Sequence, residues 1–267
     1  MRYGNCVSYK DTESIKILKQ IGFDYIETAL SSLYYAETSE ISEFLRILEQ
    51  NNIKCEAVNV LFPGGINLTG ENADFDKVGA YISEVFEKTK DIGFKRVVFG
   101  SGGARKVPDN FPKEKAVEQI IQVIKNYLLP AAEKYEFTLA IEELNRGETN
   151  IINTLEEAEY IAEQINNPRV KIVADLYHIA LESPDLTVLS RLAEKNLIAH
   201  CHIANPYDNR YYPQSSDSPE ATDLYKSFFD ILKSNGYDGR ISIEGGLRNP
   251  ADFYKESKNS LEFMKKL

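Results

Sequence analysis

Tryptophan is absent from the 267 residues, and cysteine, histidine and methionine are scarce at three, three and two. Cys6, Cys55 and Cys201 are odd in number, far apart and without a C-x-x-C pair, which excludes a disulfide framework and a thiolate zinc site. A reducing, cytoplasmic setting is the expectation. Positive charge is also short, with 31 Lys and Arg against 41 Asp and Glu and a formal net charge of -10. The basic residues are spread along the chain and form no stripe, so a phosphodiester backbone would be repelled and nucleic acid is not an expected ligand. No apolar run approaches the roughly 18 residues that cross a bilayer, and the first residues carry no apolar stretch of signal-peptide type. No membrane association is expected. What is plentiful is ordinary: 43% hydrophobic and 27% charged residues suit a globular protein with a sizeable core.

Short β-rich runs alternate with longer stretches of helical period from end to end. The expected strands are Tyr3 to Val7, Tyr25 to Thr28, Ile53 to Val60, Arg96 to Gly100, Phe137 to Glu142, Val170 to Asp175, Leu197 to Ile203 and Arg240 to Glu244. Between them, sets such as Phe75, Val78, Ile82, Val85, Phe86 and Thr89 place apolar residues three or four apart, as an amphipathic helix requires. Gly22-Phe23, Gly93-Phe94 and Gly236-Tyr237 each follow a helical run and precede a strand, a weak internal repeat of helix-ending signals. Thr154 with Glu157 fits a capping box. Each strand is thus expected to be followed by one helix, and no linker interrupts the series. Eight such units in one chain predict a single (β/α)8 TIM barrel spanning residues 1–267.

In a barrel of this kind the working residues stand at the C-terminal ends of the strands. Glu142, Asp175, His202 and Glu244 are the last polar residues of the fifth to eighth strands. Strand alternation puts Glu142 with Ala140 and Glu244 with Ser242, opposite the bulky Leu139, Ile141, Ile241 and Ile243, so both glutamates aim inward. A lone strand-end glutamate is ordinarily a solvated rim residue. Three carboxylates gathered at one mouth repel one another unless a cation offsets them. All three histidines fall between positions 178 and 202, and His200 and His202 form an H-x-H that points both rings to one face. Three oxygen donors and one nitrogen suit Mn2+, with Mg2+ or Co2+ as alternatives, better than a closed structural zinc site.

The segments from Ile141 to Asn150, from Ala174 to His178, from His200 to Ala204 and from Ser242 to Glu244 resemble, as an ordered set, the signature blocks of the xylose-isomerase-like sugar phosphate isomerase/epimerase superfamily. The likeness is greatest to its ketose 3-epimerase branch and runs over essentially the whole chain. It implies that Glu142, Asp175, His202 and Glu244 bind one divalent metal ion, that Glu142 and Glu244 also move protons, and that Glu148, His178 and Arg210 contact a small-molecule sugar or sugar phosphate. A homodimer or homotetramer is implied as well. Three departures stand out: Gly147 replaces an aromatic, Arg210 lies about two residues farther from the H-x-H, and Gly245-Gly246 follows the last glutamate. The expected chemistry is proton abstraction beside a carbonyl through a stabilised enediolate. Alternatives are a metal-dependent dehydratase of an inosose or dehydroshikimate-like substrate and a sugar-binding barrel without turnover. A three-zinc nuclease of the same fold is disfavoured, because Asn59, Phe62 and Gly100 stand where it needs histidines. The stretches Asn59 to Gly70, Ser101 to Phe111 and Asn205 to Pro219 read as substrate-enclosing loops, and Gly245 to Arg248 as a candidate phosphate site.

Overall fold

Eight strands form where the β-rich runs lie: β1 (Arg2–Cys6), β2 (Tyr25–Ala29), β3 (Lys54–Asn59), β4 (Arg96–Phe99), β5 (Thr138–Ile141), β6 (Val170–Asp175), β7 (Ile198–Ile203) and β8 (Arg240–Ile243). Every predicted end is met to within one residue. The computed structural model describes all of residues 1–267 except Ser183. Successive strands pair in parallel and β8 pairs with β1, which closes the sheet into a barrel and leaves no exposed edge.

The alternation seen in the sequence sorts the side chains into two layers. Leu139, Ile141, Ile241 and Ile243 are fully buried in the outer core, between sheet and helices, where each contributes about 1.5–3 kcal/mol of burial. Val98, Ala140, Val173 and Ala199 form a small separate group inside the barrel. Barrel interiors are usually filled by branched apolar residues, but here Glu27, His200, His202 and Ser242 are also wholly buried.

The helices follow their apolar periods. Phe75–Thr89 buries Val78, Ile82, Val85, Phe86 and Thr89 and is capped by Asp74, whose carboxylate accepts from the Lys77 N–H at 2.9 Å. The helix-ending glycines take left-handed φ of 100°, 80° and 70° at Gly22, Gly93 and Gly236. Thr154 accepts from the Glu157 N–H at 3.3 Å, while Glu157 reaches back to the Asn153 N–H at 2.6 Å, one residue earlier than a full capping box requires.

The expectation of one helix per strand is corrected in three units. Leu30–Tyr34 precedes Thr38–Gln50 after β2, and Leu176–Glu182 precedes Thr187–Glu194 after β6. After β4, Gly102–Arg105 sits inside the stretch read as loop, ahead of Lys113–Val123. That last helix runs through a π turn at Ile124–Leu128 into Leu129–Lys134. Pro130 supplies the reason, because its missing N–H and its ring disrupt the regular ladder one turn upstream. No helix among the described residues is long and apolar enough to cross a membrane.

Candidate metal and sugar site

Glu142 and Glu244 lie one residue beyond β5 and β8, yet the sheet still holds their backbones: the Glu142 N–H donates to the Phe99 carbonyl and the Glu244 N–H to that of Ile203. With Asp175 at the end of β6 and His202 near the end of β7, they offer ligand atoms all within 4.8 Å of one another. His202 Nδ1 is 2.7 Å from Glu142 Oε1, 3.2 Å from Glu244 Oε2 and 3.8 Å from Asp175 Oδ2. Three strand-end carboxylates and an imidazole thus converge, and hard oxygens with one borderline nitrogen form a donor set that fits Mn2+, Mg2+ or Co2+. Gly100 makes room for it, since a Cβ there would overlap the Glu142 carboxylate.

Crowding sets the charges. Burial pushes the Glu142 carboxyl above its usual range. For Glu244 burial acts the same way, but His202 and Arg210 outweigh it and bring the group down to about 2. Burial lowers the basicity of His202, yet Glu244, Glu27 and Glu142 around the ring raise it well above an ordinary imidazole. Glu143, wholly buried, is driven far up by burial and then by Asp175, and its Oε1 accepts from the Asp175 N–H at 3.0 Å.

Arg210 reaches the same cluster. Its Nη2 lies 2.5 Å from Glu244 Oε2 and 3.3 Å from Asp175 Oδ2, its Nη1 is 3.4 Å from Glu148 Oε1, and its guanidinium stacks on Tyr177 at 4.6 Å. Two of the sequence departures explain each other here. The longer spacing lets the chain turn through left-handed residues Asn209 and Arg210 and return along Gly245-Gly246. Gly246 N–H donates to the Arg210 carbonyl at 2.9 Å and Tyr212 N–H to the Gly246 carbonyl at 2.9 Å. A Cβ on Gly245 would overlap that Arg210 carbonyl, so the close approach requires glycine.

His178 is fully buried, and its Nδ1 accepts from Asn145 at 2.9 Å and 3.2 Å through the side chain and backbone N–H. That leaves the N–H on Nε2, which has no hydrogen-bond partner among the described residues and faces Asp175 at 3.5 Å and Glu148 at 4.0 Å. A buried donor without a partner is costly unless a ligand oxygen meets it. Asn145 also holds Glu148 at 3.3 Å and accepts from the Gly147 N–H at 2.9 Å. A Cβ on Gly147 would crowd the Asn145 Oδ1 that accepts from the Gly147 N–H.

Three supports escaped the sequence reading. Glu27 on β2 binds both histidines from behind, Asn59 at the end of β3 donates to Glu244 Oε1 at 2.7 Å, and Asn145 fixes the His178 ring. Glu27 did leave a signal, a charged residue at an inward position of an otherwise uncharged strand. At Gly245 to Arg248, the candidate phosphate site, the arginine already has partners. Arg248 is taken up by Asp217 at 2.6 Å, Asp208 at 3.4 Å and the Tyr212 carbonyl at 2.9 Å, and so clamps the loop. At the opposite end of the barrel a cleft of about 410 Å³ holds Arg96 and Lys171, but both donate to backbone carbonyls, of Ala199 and Asn196.

A family model described as xylose isomerase-like TIM barrel matches residues 15–267. Among curated relatives, 3-dehydro-D-guloside 4-epimerase of Escherichia coli (strain K12) is 24% identical over 256 residues, covering 92% of this chain and 91% of its own. D-psicose 3-epimerase of Ruminiclostridium cellulolyticum is 25% identical over 245 residues, covering 88% of this chain and 78% of its own. The crystal structure of a D-psicose 3-epimerase in the presence of D-fructose matches with a TM-score of 0.84 at 20% identity, over 100% of this chain and 99% of that one. At that identity the likeness speaks for the fold.

Proposed function

The chain belongs to the xylose isomerase-like TIM barrel family, and from that premise we propose that it is a divalent-metal-dependent epimerase that inverts a sugar carbon next to a carbonyl. The observation that carries this reading is the convergence of Glu142, Asp175, His202 and Glu244 within 4.8 Å, with a histidine and an arginine beside them. Relatives named as sugar epimerases support it. Ketose 3-epimerisation and inversion at the neighbour of a 3-keto group are the same chemistry at different carbons.

Glu142, Asp175, His202 and Glu244 would hold the ion. When bound, a divalent cation supplies Lewis-acid stabilisation of the negative charge that develops on the substrate oxygens as the proton leaves. Glu142 and Glu244, from strands three apart around the barrel, take the proton from one face of the sugar carbon and return it to the other. Such general acid–base work is worth about 10²- to 10⁴-fold in rate. His178 Nε2, Glu148 and Arg210 would hold sugar hydroxyls, and Asn59, which donates to the second oxygen of Glu244, would keep that carboxylate in position. Arg210 and Arg248 are both already engaged by carboxylates, which favours an uncharged sugar over a sugar phosphate.

The test is a panel of free ketoses, ketose phosphates and 3-keto glycosides incubated with the chain and Mn2+ in deuterated water, read by NMR. One epimer pair should interconvert with deuterium entering at the inverted carbon. Loss of water with a new unsaturated-ketone absorbance would replace this reading by a dehydratase. Binding without exchange, unchanged in Glu142→Ala, would replace it by a sugar-binding barrel. Gly245→Ala should displace the Arg210 carbonyl and lower kcat/KM by about 10- to 100-fold, because a misplacement near 1 Å can cost that much. Steady-state kinetics alongside an unchanged far-ultraviolet circular dichroism spectrum checks this.

A further inference from the structure

We propose that Glu27, buried in the barrel behind the site, is the positioning residue that makes His202 a metal ligand through Nδ1, by holding the proton on its other ring nitrogen. This rests on the metal reading above and adds a residue to it.

The geometry is a chain of buried contacts. His202 Nε2 lies 3.0 Å from Glu27 Oε1, while His202 Nδ1 faces the three carboxylates of the site. Glu27 Oε2 meets His200 Nε2 at 2.8 Å and accepts from the Ser242 hydroxyl at 2.6 Å. Ser242 in turn meets the Tyr25 hydroxyl at 2.9 Å. Glu27, His200, His202, Ser242 and Tyr25 are all fully buried. A carboxylate can only accept, so the imidazole donates from Nε2 to Glu27, and Nδ1, which lies 2.7 Å from Glu142 Oε1, is the nitrogen whose proton a bound cation would replace. A carboxylate behind a ligating imidazole fixes the ring's tautomer and orientation and strengthens its donor nitrogen.

A rival use of the same atoms is visible. Cys6, Glu27 and His202 also offer ligand atoms within 4.8 Å of one another, which suggests a second ion on the far side of the ring. The Glu27 oxygens argue against it, because both are occupied by donors from His202, His200 and Ser242. Three donors on a carboxylate with about four acceptor sites make it a clamp. Its place in the middle of β2, fully buried inside the barrel behind the strand ends that carry the ligands, explains how it braces His202 without reaching the substrate.

The experiment is Mn2+ titration of the full chain by calorimetry, with metal content measured after dialysis. The wild type should bind one ion per chain, and Glu27→Gln, which keeps the shape but removes the charge and one acceptor, should raise the Kd about 10- to 100-fold. Nitrogen-15 histidine spectra of the Mg2+-loaded wild type should show the His202 proton on Nε2. A folded Glu27→Gln with a smaller rise in Kd, a proton on Nδ1, or two ions per chain would each overturn the clamp. If Glu27→Gln does not fold, Ser242→Ala carries the test: loss of one donor to Glu27 should weaken Mn2+ binding by more than about twofold, and an unchanged Kd overturns the proposal. A wild type that takes up no divalent ion sinks the metal reading itself, whereas equal Kd values in wild type and variant sink only the role of Glu27.

Discussion

Glu244→Gln is expected to leave a folded barrel that no longer exchanges substrate hydrogen with solvent. The substitution keeps the side chain's size and leaves Asn59, Arg210 and His202 around it. What it removes is the negative charge and the ability to accept and return a proton. Loss of a general base alone costs about 10²- to 10⁴-fold. Because the same oxygens belong to the group that would hold the cation, the drop in kcat should lie at the upper end of that range or beyond it. Deuterium incorporation followed by NMR is the direct measure. Persistent exchange at the inverted carbon in the variant would rule out the two-carboxylate mechanism and leave Glu244 as a ligand only.

Chelation should have the second large effect. Treatment with EDTA is expected to reduce turnover to background, and Mn2+, Co2+ or Mg2+ should restore it. Stability should move with it, since an ion that binds only the folded chain at a concentration of 100 times its Kd contributes about 2.7 kcal/mol. For a protein of this size that corresponds to a rise in Tm of about 5–10 °C. The direction follows from the site: Glu142, Asp175 and Glu244 are crowded around His202 and Arg210, and a divalent charge relieves the repulsion among the carboxylates. Undiminished turnover and an unshifted Tm after exhaustive chelation would refute metal dependence.

The parts of the site legible in the sequence are those set by local rules. A strand alternates faces every residue, so Glu142 and Glu244 could be aimed inward, and H-x-H could be read as two rings on one side. Glycine after a helical run marked where strands would begin, and closure followed from eight repeated units. The extra helices after β2, β4 and β6 were not legible, because Leu30–Tyr34, Gly102–Arg105 and Leu176–Glu182 are too short to carry a helical period. Arg248 shows the limit from the other side. Its glycine-rich setting suited a phosphate, but Asp217, 31 residues away, takes its charge.

The sequence by itself determined the barrel, the four strand-end donors and the acidic character of the mouth, since periodicity, side-chain parity and charge are properties of neighbouring residues. Only the tertiary structure decided which partner each donor receives: Glu27 for His202 across 175 positions, Asn59 for Glu244 across 185, and Arg210 laid back over Gly245. Those pairings depend on the register of eight strands around a closed circle, and no stretch of chain short of the whole barrel contains that register.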